Sequence, residues 1–177
     1  MFTEYNESRA AIRPVRPQDG PAIRELTLKM LADSPQAYGL SLEKARARTT
    51  SQWLQLAEDL ADTDHHCGFI AEDFLGLCGF VRGDSTDPRL PPGAALAAQL
   101  WVAPRHRGTG LGERLMDAVT GWAGERGAAM LALGVFEENR RARGFYEHLD
   151  YVDTGRREPS PLDSTRKIVV MARVLET

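Results

Sequence analysis

Two kinds of hydrophobic patterning alternate along the chain, and their order predicts its elements. Apolar residues recur at helical spacing over Ile23, Leu26, Thr27, Met30 and Leu31, after the start signals Pro17, Asp19 and Pro21 and before Asp33-Ser34-Pro35. The same period predicts helices over Ser51–Leu60, from Gly108 to Arg126, and over Asn139–Leu149. Strand patterns lie between them. Ala10–Arg13 reads as a short first strand, and Cys67–Glu72 and Leu75–Arg82 follow so closely on each other that they predict an antiparallel hairpin. Ala94–Val102 and Ala129–Val135 are apolar at nearly every position, the mark of strands covered on both faces. Tyr151–Arg156 and Lys167–Val174 are the last strand candidates, while Gln36–Thr50 carries no decisive period.

Strand, helix and strand around Ala94–Val135 require a parallel crossover, and the remaining strands connect as hairpins. The expectation is a mixed α/β sheet with helices on both faces. A chain of 177 residues predicts one domain, taken as residues 10–177 behind a short arm, residues 1–9.

Charge and composition narrow the function. The formal net charge of −3 argues against a protein that coats nucleic acid or an anionic membrane. The longest apolar runs, Ala94–Ala103 (interrupted by Gln99) and Gly127–Phe136, are about half of a membrane span. MFTEYNESRAAIRP has no hydrophobic run of the secretory kind. Cys67 and Cys78 are expected as buried free thiols in adjacent strands, and the whole points to a cytoplasmic protein.

Leu100–Met116 (LWVAPRHRGTGLGERLM) carries the chemistry. An apolar strand runs into Arg105-His106-Arg107, then Gly108, Thr109, Gly110 and Gly112, then an amphipathic helix. Glycines let backbone amides approach a ligand, and a helix start offers unpaired N–H groups and a positive dipole end. A Walker loop needs Gly-Lys-Ser/Thr, but Gly112 is followed by Glu113-Arg114; a Rossmann fingerprint needs its third glycine one residue later. Arg107-x-x-Gly110-x-Gly112 after a central strand fits neither of these.

That pattern resembles the R/Q-x-x-G-x-G/A loop of the GNAT superfamily of N-acetyltransferases. Downstream, NRRARGFYEHLDY matches the family's N-x-x-A-x-x-x-Y at Asn139, Ala142 and Tyr146. The resemblance implies a mostly antiparallel sheet of about seven strands with a splayed parallel pair, 94–102 and 129–135. It implies acetyl-CoA as co-substrate, its pyrophosphate in the loop at Arg107, Gly108, Thr109, Gly110 and Gly112. Leu100 and Val102 would meet the pantetheine arm, with the Leu100 N–H as oxyanion donor, Asn139 against the cofactor, and Tyr146 near the thioester sulfur. No metal is required, and a homodimer is a family-level expectation.

Two departures stand out. Leu149-Asp150-Tyr151 replaces the family's Leu-Gly-Phe, and Asp is among the residues that tolerate the left-handed position after a helix. Leu96 stands where histone-acetylating relatives carry a glutamate base, so no base carries over. Glu43, Glu72, Glu137 and Glu138 are candidates by charge, and an ordered water is an equal alternative. Tyr146 also reads as a core aromatic beside Phe145, and Asn139 as a plain N-cap. Arg105, Arg107 and Arg114 cluster around the loop, where one could reach a phosphate. The expected reaction is direct attack of an amine on the acetyl group, with a small-molecule amine as partner. The acceptor would be shaped by the first helix, Gln36–Thr50 and the loop before Arg166. A protein amino group, a longer acyl group and a non-catalytic CoA-binding sensor are the alternatives.

Overall fold

In the computed structural model, which describes residues 9–176, the strands are β1 (Ala11–Pro14), β2 (His66–Asp73), β3 (Gly76–Asp84), β4 (Ala94–Val102), β5 (Met130–Phe136), β6 (Val152–Pro159) and β7 (Lys167–Val174). The helices are α1 (Gly20–Asp33), α2 (Leu42–Ala47), α3 (Thr50–Ala61), α4 (Leu111–Glu125) and α5 (Arg140–His148). One sheet holds all seven strands in the order β1-β2-β3-β4-β5-β7-β6. Every pairing is antiparallel except β4 with β5, the crossover pair expected from the sequence. The arm placed at residues 1–9 lies, apart from Arg9, outside the described residues.

The parallel pair is brief. It runs from Ala94↔Met130 to Leu96↔Ala132 and then stops, although β5 stays paired with β7 along its whole length. The cause lies in β4. Between Phe80↔Trp101 and Arg82↔Ala98, β3 advances two residues while β4 advances three. The extra residue is a bulge, with Gln99 in the left-handed region at φ 56°. A bulge bends its strand, so β4 leaves β5 and a crevice opens between them.

Two boundaries depart from the sequence reading, each for a local reason. The helix expected from Gly108 begins at Leu111, because Gly108 (φ 77°) and Gly110 (φ 84°) are left-handed and cannot continue a right-handed helix. The unassigned stretch after Gln36 contains α2, six residues long and too short to display a period; the Ser41 hydroxyl caps it by accepting from the Lys44 N–H at 3.2 Å. α3 carries a full capping box, Thr49 with Gln52.

At the other end of the chain, α5 closes in a Schellman turn. The Tyr151 N–H donates to the Tyr146 carbonyl at 3.0 Å and the Asp150 N–H to the Glu147 carbonyl at 3.1 Å, with Asp150 at φ 65°. This turn fixes the carbonyl end of Tyr146. Both cysteines are buried and free, and burial pushes the Cys67 thiol up to about 12 and that of Cys78 up to about 11. Asp150→Gly is expected to raise stability by about 0.5–1 kcal/mol by relieving the left-handed aspartate, read as a higher denaturation midpoint with unchanged m-value.

Candidate active site

The loop between β4 and α4 is braced by its side chains and by its own backbone bonds from His106, Arg107 and Thr109, which leaves the amides at the start of α4 free. Arg105 grips both oxygens of Asp73 (Nε to Oδ2 at 2.8 Å, one terminal nitrogen to Oδ1 at 3.0 Å), and His106 Nε2 lies 2.6 Å from Oδ2. Arg105 foremost, with His106 and the Leu75 N–H, holds the Asp73 carboxyl well below the usual carboxylate range against a burial term that acts the other way. Cys78 approaches the same group, its sulfur within 4.8 Å of the Asp73 and His106 ligand atoms. A cation there would have to displace the fixed charge of Arg105, so the cluster reads as an anchor for the loop.

Arg107 donates to Asp33 at the end of α1 and, through Nε, to the Val102 carbonyl at 3.2 Å. Burial raises the Asp33 carboxyl, but hydrogen bonds from Trp101, Ser34 and Arg107 outweigh it and hold the group low. Arg114 donates to the Ala10 carbonyl at 2.9 Å. All three arginines near the loop are thus committed to the protein, a distribution the sequence did not reveal. The first backbone bond of α4 is Arg114 N–H to Gly110 carbonyl, so the amides of Leu111, Gly112 and Glu113 precede the helical ladder. At Gly108 and Gly110 an added Cβ would meet nothing within 4 Å, leaving the loop open above its amides. Gly112 differs: a Cβ there would stand 3.1 Å from the Phe145 ring, so its absence lets α4 approach α5.

Over this loop lies a cleft of about 540 Å³ whose walls include Leu100, Val102, Arg107, Gly108, Gly112, Asn139 and Tyr146. Two expected residues, Thr109 and Gly110, are not part of that wall. Thr109 spends its hydroxyl on the His106 carbonyl at 2.7 Å, and Gly110 serves as the αL residue before α4. The Asn139 side chain accepts from the Ala142 N–H at 3.1 Å, so it is an N-cap, and the same residue lines the cleft. Tyr146 is half-buried, edge-on to Phe145 (5.3 Å) and Tyr151 (5.9 Å). Burial first, and Tyr151 second, push its phenol well above the ordinary value of 10.

Tyr38 escaped the sequence reading, since its stretch lacks a period. Its hydroxyl donates to the Leu100 carbonyl at 2.8 Å, tying the segment after α1 to the bulged part of β4. The carboxylates considered as bases are engaged elsewhere or remote from the seam. Arg166 binds Glu138 at 2.6 Å, Arg157 binds Glu137 at 2.9 Å, and Arg13 binds Glu72 at 2.8 Å. Glu43 lies exposed in the first turn of α2.

The crevice between β4 and β5 continues the cleft toward the opposite side of the sheet. It is bordered by Ala97, Gln99, Leu133 and Gly134 as well as Asn139 and Tyr146, and beyond it lies a second space of about 370 Å³. Tyr38 borders all three volumes. One side thus offers free amides for an anion and one tyrosine, the other a separate chamber, with a bulged strand between.

This arrangement corresponds to a known family. The sequence profile described as "Acetyltransferase (GNAT) family" matches residues 30–151, and the chain belongs to that family. An uncharacterized N-acetyltransferase of Mycobacterium tuberculosis is 33% identical over 95 residues, 54% of each chain, so this chain spans about half the length of the curated relative it matches. Among solved structures, an acetyltransferase of the GNAT family from Streptococcus pneumoniae superposes with TM-score 0.78 at 18% identity, over 95% of this chain and 100% of that one. Spermidine N-acetyltransferase from Vibrio cholerae, solved with CoA and spermine, gives 0.72 at 18% identity over 94% and 96%. These likenesses establish the fold, and the chain's own pairing of β4 with β5 shows the splayed parallel pair expected at 94–102 and 129–135. No described helix is long and apolar enough to cross a membrane.

The Asp73 anchor yields a pH-dependent expectation. A carboxylate held below its ordinary value of 3.8 adds stability that is present above that value and lost as pH falls through the folded one. Asp73→Asn is expected to cost about 2 kcal/mol at neutral pH, with the gap to the parent closing below about pH 4 in denaturant titrations.

Proposed function

We propose that the protein is an acetyl-CoA-dependent N-acetyltransferase, with residues 10–177 acting as one catalytic unit and a small-molecule amine as acceptor. The observation that carries this is the continuity of space through the β4–β5 seam, from the amides at the start of α4 to a separate chamber beyond the bulge. A cytoplasmic setting accords with two unbridged thiols.

In this reading acetyl-CoA supplies an activated acyl group. The Leu111, Gly112 and Glu113 amides take the pyrophosphate as charge-assisted acceptor oxygens, at about 1.5–3 kcal/mol for each bond. Gly108 and Gly110 keep the approach clear, while Thr109 and Arg107 hold the loop and β4 in place. Residues from Leu100 to Val102 offer strand edge to the pantetheine arm, and the Leu100 N–H serves the developing oxyanion. The Asn139 amide nitrogen orients the arm from the other wall.

The amine nitrogen then forms its bond to the acyl carbon, the carbon–sulfur bond breaks, one proton leaves the nitrogen and one reaches the sulfur. A lysine-like amine is neutral to only about one part in 2,500 at pH 7, so deprotonation limits the rate at neutral pH. Since Glu137 and Glu138 are bound by arginines, solvent within the seam takes that proton. Tyr146 acts by hydrogen bonding to the sulfur. Full proton transfer from a phenol to a thiolate runs uphill by about 2 kcal/mol even at ordinary values, and burial of Tyr146 widens the gap.

Calorimetric titration with acetyl-CoA and thiol release over an amine panel test the reading; absence of binding overturns it. Tyr146→Phe is expected to lower kcat about 10- to 100-fold with acetyl-CoA affinity within about twofold, and an unchanged kcat would exclude the role. Because Tyr146 stays protonated across the usable range, kcat/KM is expected to rise with pH toward the acceptor's own pKa, with no descending limb below about pH 10.

A further inference from the structure

The chamber beyond the seam has an unusual distribution of charge. Four arginines border it, Arg48, Arg82, Arg89 and Arg156, against two carboxylates, Asp87 and Glu158. Both carboxylates are already spoken for. Arg89 binds Asp87 at 2.5 Å and Glu158 at 3.0 Å, and Arg156 binds Glu158 at 2.8 Å while donating to the Arg89 carbonyl at 2.6 Å.

Arg82 and Arg48 are not. Neither side chain makes a hydrogen bond or ion pair with any described residue; Arg48 lies over the Trp53 ring at 4.9 Å. The Arg82 Nε is fully enclosed and has no hydrogen-bond partner among the described residues. An enclosed guanidinium N–H left without an acceptor is costly, and a carboxylate entering the chamber would supply one. Burial foremost draws the Arg82 guanidinium below its ordinary value, Asp84 opposes it, and Arg48 adds a smaller push downward that outranks the pull of Asp87. Arg82 is also well placed. It stands in β3 opposite Ala98, the residue before the bulge at Gln99, so its side chain belongs to the wall beside the seam.

We propose that this chamber takes an amine that also carries a carboxylate, the class of free amino acids, with Arg82 as the principal carboxylate receptor and Arg48 assisting. The inference rests on the acetyltransferase reading of the site and names its acceptor class. A planar guanidinium fork matches a carboxylate, and the pairing leaves the amine free to enter the seam. A polyamine would find the opposite of what it needs, two unpaired cations and no unpaired carboxylate.

The test pairs each of a panel of amino acids with its decarboxylated amine, adding aminophosphonate analogues and spermidine, and reads thiol release from acetyl-CoA. The best amino acid is expected to exceed its decarboxylated amine by about 100-fold in kcat/KM. Arg82→Gln is expected to shrink that ratio below about fivefold, and Arg48→Gln to shrink it about tenfold, with folding checked by thermal melting. Should Arg82→Gln fail to fold, Arg82→Lys keeps the charge without the fork and is expected to lower the ratio about tenfold. Preference for the phosphonate, for spermidine or for the bare amine overturns the proposal, as does a ratio indifferent to Arg82. Acetyl-CoA binding without turnover of any amino acid overturns it too, and leaves the cofactor site standing. Failure to bind acetyl-CoA would instead remove the acetyltransferase reading itself.

Discussion

Strand β4 holds one residue more than β3 between matched positions, and the backbone accommodates it by placing Gln99 at φ 56°. A non-glycine residue there costs on the order of 1 kcal/mol, which only a well-determined surrounding sheet sustains. The sheet supplies that support. β3 pairs β4 on both sides of the bulge, and β5 leans on β7 rather than β4. Tyr38 fastens the following carbonyl, at Leu100. Without the extra residue β4 and β5 would continue their parallel ladder past Leu96, and the cleft and the chamber would be closed off from each other.

Around this opening, arginine–carboxylate pairs decide which groups remain available. On the cleft side Asp73 and Asp33 absorb Arg105 and Arg107, which leaves backbone amides as the groups offered to an anion. These amides are fixed by the loop and gain strength from the dipole of α4. On the far side the carboxylates are absorbed instead, and two guanidiniums remain. A pairing therefore works by subtraction as well as by attraction. Beyond the buried Asp73 anchor, pairs of this kind add little to stability, but they determine the charge that a ligand meets.

Legibility in the sequence followed the range of the interaction concerned. Gly108, Gly110 and Gly112 encode backbone geometry at their own positions, so the loop could be read directly, as could Asn139 at its cap and Tyr146 one helical face along. Asp150 after α5 was readable for the same reason, its left-handed backbone being a local requirement that aspartate meets. Long-range pairings left no such trace. Asp73 meets Arg105 across 32 residues and Asp33 meets Arg107 across 74, and nothing near either residue announces its partner. Gln99 looked like a single polar interruption of an apolar run, although it is where the strand bends. Arg82 looked like an ordinary polar position in a hairpin strand.

That contrast separates two recognition problems met by one fold. A pyrophosphate is recognised by N–H groups that every residue except proline carries, so the sequence need only specify where the chain turns, and glycine spacing specifies it locally. In the proposed reading the acceptor meets side chains brought together from separate elements, Arg82 from β3 and Arg48 from the end of α2, in a chamber that Tyr38, from the segment between α1 and α2, also borders. Their meeting depends on strand order and on the bulge, which are properties of the assembled sheet. The cofactor half of such a site is therefore open to reading from a motif, whereas the acceptor half requires the folded chain. The side-chain charge left unpaired after folding, rather than any short run of residues, is what carries information about the acceptor.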